Sequence, residues 1–209
     1  MPRSLSRVLL LLIMVLLSHP VFAQLQLGAE AGGHSSYFLI DQIPSSFGEA
    51  TSGAMIGYQT GLVAQYRFGP QLSLRSGLSY QRHRINWSIK PFWLGMDEVY
   101  SLRYIRMPLV AQFTPTERWH IIGGMEAGCL LMPPSEAEQW QRFDYGLILG
   151  AGFAILPQLH LNFEHFIGLP RVGEGRFLDE ESNINGVYYF RNRSVRVSCI
   201  YYFCKFDEN

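Results

Sequence analysis

Eight stretches of this chain alternate apolar and non-apolar residues with a period of two, over 25–38, 55–68, 71–88, 101–114, 119–132, 143–156, 158–169 and 188–203. That period belongs to strands, because successive side chains point to opposite faces. In the second stretch Ile56, Tyr58, Thr60, Leu62, Ala64, Tyr66 and Phe68 share one face, and Gly57, Gln59, Gly61, Val63, Gln65 and Arg67 share the other. The connections alternate as well. Those at 69–70, 114–118 and 156–158 are short, whereas 39–54, 90–100, 133–142 and 170–187 are long and rich in Pro, Gly, Ser and acids. Short turns at one end and long loops at the other describe an outer-membrane barrel, with both ends of the chain on the turn side. The expected fold is all-β, an eight-stranded antiparallel up-and-down transmembrane barrel with short periplasmic turns and four longer external loops. Each stretch exceeds the about 9–11 residues a tilted strand needs to cross hydrocarbon.

Charge decides which face meets lipid. Glu30, Glu126, Asp144 and Glu164 fall on the non-apolar faces together with Arg67, Arg75, Arg106 and Arg196. The opposite faces carry almost no charge through the middle of the strands. The eight charged residues are therefore expected inside, as a paired network in the lumen, because an isolated buried charge is very costly. Aromatic residues fit two interfacial girdles. Tyr66, Phe68, Phe113, Trp119, Phe153, Tyr201 and Phe203 lie near the turns, and Tyr37, Trp87, Tyr104, Trp140 and Tyr188 near the loops.

Residues 1–23 read as a cleaved secretory signal peptide. Arg3 and Arg7 precede an unbroken apolar run, Val8 to Leu17, then a break at Ser18-His19-Pro20 and Val21-Phe22-Ala23 before Gln24. Ten apolar residues are too few for a spanning helix. Residues 24–209 are read as one barrel domain. The whole chain has 17 basic and 17 acidic residues, which argues against nucleic acid as a partner. Charged residues make up 16% and aromatics 14%, as expected of a chain with little aqueous surface. Cys129, Cys199 and Cys204 have no framework spacing and serve as small apolar or interfacial residues. No CxxC or HExxH motif occurs, so no metal or other cofactor is expected.

Tyr104-Ile105-Arg106-Met107-Pro108-Leu109, followed by Val110-Ala111-Gln112-Phe113, resembles the Y-x-x-x-P-L strand of the PorT-type outer-membrane β-barrel domain family of Bacteroidetes. A proline inside a central strand is unusual, because it removes a ladder donor. The strand with Gly123-Gly124 and Gly128, the strand from Asp144-Tyr145-Gly146 to Gly150-Ala151-Gly152, and the export segment ending Phe22-Ala23-Gln24 are similar too. The resemblance spans roughly 24–203. It implies an eight-stranded barrel in the outer membrane of a Gram-negative bacterium. It also implies a terminal strand read by the barrel-insertion machinery, with Tyr201 and Phe203 resembling that signal. Here the chain continues for six residues beyond Phe203.

The expected role is structural or interactive, with any recognition through the external loops. Outer-membrane lipid and lipopolysaccharide are the expected surroundings, and Arg82 and Arg84 are placed to meet lipopolysaccharide phosphates. Two other readings stand beside it. A lipid-modifying enzyme needs an outward His and Ser with a carboxylate behind them. His165 is its outward candidate, and His83, near the loop end, is read as an interfacial side chain. A secreted soluble barrel with a small apolar ligand needs an apolar lumen.

Overall fold

The computed structural model describes residues 25–41, 50–89, 96–132, 139–178 and 184–203. The export segment, Cys204, and the side chains of Trp87 and Tyr188 lie outside the described residues. Ten strands follow in chain order: β1 Leu25–Asp41, β2 Ala50–Arg67, β3 Leu72–Ile89, β4 Met96–Phe113, β5 Trp119–Met132, β6 Gln139–Trp140, β7 Phe143–Leu156, β8 Leu159–Gly168, β9 Gly173–Leu178 and β10 Ile184–Tyr202. Each pairs antiparallel with its neighbour, and β10 closes on β1 from Gly28↔Tyr202 to Asp41↔Tyr189. Closure removes both sheet edges, as a barrel in lipid requires.

Ten strands make only eight walls. β8 pairs with β10 over Arg193–Tyr201, and β9 pairs with the same edge of β10 over Ile184–Phe190. The two are one wall interrupted at residues 169–172. β6 and β7 form another interrupted wall, with β6 paired to β9 and β7 to β8. Single backbone bonds carry the ladder across the gaps: Gln141 N to Val172 O at 2.9 Å, Val172 N to Phe190 O at 2.8 Å and Leu130 N to Arg142 O at 2.7 Å. Much of the stretch 170–187, expected as a loop, is therefore wall. Pro170 breaks the alternation there, and Gly173 and Gly175 supply no side chain to reveal a face.

The proline of β4 shows how the barrel absorbs a missing donor. The β3–β4 register runs continuously to Ser76↔Leu109 and resumes at Ser79↔Arg106, so pairing lapses beside Pro108. Ser76 Oγ donates to the Pro108 carbonyl at 2.8 Å in the gap. On its other side Pro108 stays in register with Glu126 of β5.

The faces separate cleanly. Ile56, Leu62 and Phe143 are 80%, 66% and 69% exposed on the outside, whereas Arg75, Arg106 and Arg196 are at most 2% exposed within. A water-soluble barrel has the opposite arrangement, with its apolar face inward. Near the turns the outer face carries aromatic pairs, Tyr66 with Phe68 and Trp119 with Phe153, each at 4.9 Å between ring centroids. Cys199 is exposed and Cys129 partly so, both as free thiols on that same outer face.

Candidate functional site

The lumen is the part of the molecule where polar chemistry concentrates, and it is built in three layers. The middle layer is ionic. Arg196 donates from Nη1 and Nη2 to Glu126 Oε2 and Oε1 at 2.6 and 2.7 Å. Arg106 donates to Glu126 Oε1 at 3.1 Å and to Asp144 Oδ2 at 2.7 Å. Asn192 adds an amide donor to Asp144 Oδ2 at 3.1 Å. Two cations and two carboxylates from β4, β5, β7 and β10 thus form one cluster. The Phe166 ring lies against both guanidinium groups, 4.6 Å from Arg106 and 4.9 Å from Arg196. Arg75 pairs with Glu164 across the bore, and Gln59 Nε2 donates to Glu30 Oε1 at 2.9 Å.

Strand register explains why these groups meet. Arg196 is directly opposite Glu164 on one side and His34 on the other, and Arg106 is opposite Gly128. A Cβ at Gly128 would sit 3.0 Å from Arg106 Cγ, so the glycine provides the space in which the arginine lies down. Of the eight charged residues expected in the lumen, seven lie in this layer. Arg67 does not. It is half-buried at the turn end and lines the mouth there, because β2 ends at that residue.

Toward the loops the lumen is apolar. Phe38, Ile85, Tyr100, Leu102, Tyr104, Leu130, Val172 and Phe190 form a buried cluster, with Ile40 and Trp140 packed against it. Trp140 stacks on Phe190 at 6.0 Å with an interplanar angle of 6°, and Phe38 meets Phe190 at 4.9 Å. Tyr104 and Trp140, expected in an outer girdle, are inside. Tyr104 has no exposure and its ring lies 4.4 Å from the Arg106 guanidinium. Parity accounts for this, since Tyr104 is two residues from Arg106 and Trp140 four from Asp144. His83 is likewise fully buried rather than interfacial. Its Nε2 meets Gln81 Oε1 at 3.1 Å and its Nδ1 meets Ser36 Oγ at 2.7 Å. A carbonyl oxygen only accepts, so Nε2 carries the proton and Ser36 donates to Nδ1.

Toward the turns the lumen is polar and open. A cavity of about 810 Å³ is lined by Gln65, Arg67, Ser73, Gln112, His120 and His160 among others. Tyr202 donates its hydroxyl to Gln65 Oε1, Gln65 Nε2 to Ser73 Oγ at 3.1 Å, and Ser73 to Gln112 Oε1 at 3.3 Å. His120 Nε2 meets Asn162 Oδ1 at 2.9 Å. A Cβ at Gly152 would collide with both of those atoms, so only glycine leaves room for the pair.

The other sequence candidates are placed as follows. His165 faces outward on β8, with Val195 and Leu149 as its cross-strand partners. No serine or carboxylate occupies an adjacent outward position in register. Tyr201 and Phe203 lie outward at the turn end, with ring centroids 6.3 Å apart. Among the described residues no group of three His, Cys, Asp or Glu side chains is arranged to hold a metal ion.

The fold has counterparts among solved structures. The outer membrane protein OprG from Pseudomonas aeruginosa is 13% identical, with a TM-score of 0.50 over 86% of this chain and 94% of that one. Neisserial surface protein A is 14% identical, with a TM-score of 0.49 over 85% and 97%. Ail, the attachment invasion locus protein of Yersinia pestis, is 14% identical, with a TM-score of 0.43 over 85% and 98%. OprG supports the fold, and at these identities nothing further follows from any of the three. No curated protein matches the chain in sequence. The profile of the family described as "Outer membrane protein beta-barrel domain" matches residues 22–170, most of the barrel. The chain belongs to that family and is an outer-membrane β-barrel protein.

Proposed function

We propose that this barrel is a closed, non-conducting and non-enzymatic membrane platform, whose external strand extensions and loops carry any recognition. The observation that supports this best is the ionic layer. Arg106, Arg196, Glu126 and Asp144 pair with one another across the bore, and each is at most 3% exposed. An eight-stranded barrel is just wide enough to be filled by its own side chains. Opening a path would separate paired charges in a dry interior, which is very costly. The aromatic cluster adds a second seal on the external side. A gate in which the pairs re-form is the competing reading; Glu164, opposite Arg196 in register, is the carboxylate to which that guanidinium could turn, and it is already held by Arg75.

The walls support the platform role. β2, β3, β4 and β10 have 18, 18, 18 and 19 residues, well beyond the about 9–11 that cross the hydrocarbon. The excess projects from the loop side as a raised rim. The setting of His165 among Val195 and Leu149 supports the absence of hydrolase chemistry, since an unoriented imidazole without a nucleophile does no acyl transfer. Within the outer-membrane family we assign the chain to the PorT-type group, on the Tyr104 to Phe113 strand. Export follows cleavage after Ala23, and Tyr201 with Phe203 is the strand-end signal for the insertion machinery. Lipopolysaccharide and outer-membrane lipid are its surroundings.

Planar-bilayer recording tests the proposal. Barrels refolded and inserted singly are expected to show no steady conductance at any applied voltage. A stable, ion-selective open state would overturn the closed-platform reading.

A further inference from the structure

We propose that Arg82, Arg84 and Arg103 form a binding site for a phosphate group of the outer-leaflet glycolipid. The inference rests on the membrane placement and on the lipid partner proposed above, and it is independent of whether the lumen conducts. Arg82 of β3 and Arg103 of β4 are direct cross-strand partners, and Arg84 is opposite Ser101. All three side chains lie on the outer face, where Arg84 and Arg103 are exposed and Arg82 is half-buried. Arg82 Nε donates to Ser101 Oγ at 3.1 Å, which draws its guanidinium toward the position that Arg84 faces. Three arginines therefore leave the outer face from positions that adjoin Ser101.

Like charges directly opposite in a sheet repel and destabilise the pair. The described outward neighbours carry no charge that would relieve them. On β2 they are Ile56 and Tyr58, on β3 Tyr80 and Asn86, on β4 Val99 and Ile105, and on β5 Met132. No carboxylate is among the described outward side chains around the patch. The level on the barrel identifies what supplies the missing charge. Tyr58 lies directly opposite Arg82 and Tyr80 two residues toward the turns from it, with their ring centroids 6.2 Å apart. Leu62 and Leu78, 66% and 57% exposed, follow as the lipid-facing band. Tyrosine marks the boundary between hydrocarbon and headgroups, so the arginines stand at headgroup height in the external leaflet. Guanidinium forks match phosphate oxygens in charge and geometry, and beside hydrocarbon the attraction exceeds that in bulk water. One phosphate bridging Arg82 and Arg103 converts their repulsion into a shared attraction.

The test uses the purified barrel in zwitterionic phospholipid vesicles, followed by its unfolding temperature. Lipopolysaccharide is added, or the same glycolipid with its phosphates removed, or inorganic phosphate. Wild type is expected to be stabilised by lipopolysaccharide and not by the dephosphorylated glycolipid. Arg84→Gln should weaken the response about fivefold and Arg103→Glu by more than about tenfold, at about 1 kcal/mol per basic residue. Without glycolipid, Arg103→Glu should melt higher than wild type, because the introduced carboxylate would face Arg82. That gain also shows that the variant folds. Equal responses from wild type and both variants, or full stabilisation by the dephosphorylated glycolipid, would overturn the site. Full stabilisation by inorganic phosphate at millimolar concentration would overturn its assignment to a lipid.

Discussion

The two ends of the lumen use the same inward-facing positions for opposite purposes. Toward the loops those positions hold Phe38, Ile85, Leu102, Leu130 and Phe190, packed out of contact with solvent. Toward the turns they hold Gln65, Ser73, Gln112, His120 and Asn162, joined by hydrogen bonds around an open cavity. The ionic layer divides them, together with a small buried apolar cluster of Val110, Ile122, Ile148 and Phe166 next to it. Short turns face the periplasm in this class of barrel, so the sealed end faces outward and the wet end inward. One alternating pattern can thus build a plug and a vestibule in a single bore. Stability should therefore be distributed unevenly along it.

The largest loss is expected at the boundary between the two ends. Glu126→Ala leaves Arg106 and Arg196 short of their shared carboxylate in a buried site, at a cost of about 3–5 kcal/mol. Urea unfolding in lipid vesicles measures it, and a loss under about 1 kcal/mol would mean that water reaches the layer. Next comes the sealed end. Phe190→Ala removes the ring shared by Trp140 and Phe38, at a cost of about 3 kcal/mol in the same assay, while conductance stays at zero because the ionic layer remains. The smallest effect belongs to the open end. His160→Ala, at the half-buried edge of the cavity, should change stability by less than about 1 kcal/mol. If His160→Ala cost as much as Phe190→Ala, the contrast between the two ends would be lost.

Much of this contrast is legible as parity. Two-residue alternation in 119–132 and 143–156 coincides with β5 and β7, because each crosses the membrane with one face in lipid and one in the lumen. The same parity extends upward: Phe38 shares the register of Glu30, Ile85 that of Arg75, Leu102 and Tyr104 that of Arg106, Leu130 that of Glu126, and Phe190 that of Arg196. The plug stays hidden because polarity inverts at its level: on β3 and β4 the inward residues are the apolar Ile85, Leu102 and Tyr104 and the outward ones are Arg82, Arg84, Ser101 and Arg103, so the rule that holds lower in the barrel does not sort them there. Tyr104 and Trp140 accordingly read as members of an external girdle. The interrupted walls are hidden for a different reason. β6 and β9 are short, Pro170 lies just ahead of β9 and Gly173 and Gly175 lie within it, and β9 takes its pairing from β10 rather than from any pattern of its own. The convergence of Arg82 with Arg103 depends on register between strands, which one sequence does not carry.

The most direct test of a bore sealed outside and open inside is access of a membrane-impermeant maleimide to Ser73→Cys, in a chain whose Cys129, Cys199 and Cys204 are replaced by serine. Ser73 lines the cavity below the ionic layer. In intact cells the introduced thiol should stay unlabelled, and it should react once the reagent is admitted to the periplasm. Rapid labelling of intact cells would show a path through plug and ionic layer, and would contradict the closed barrel.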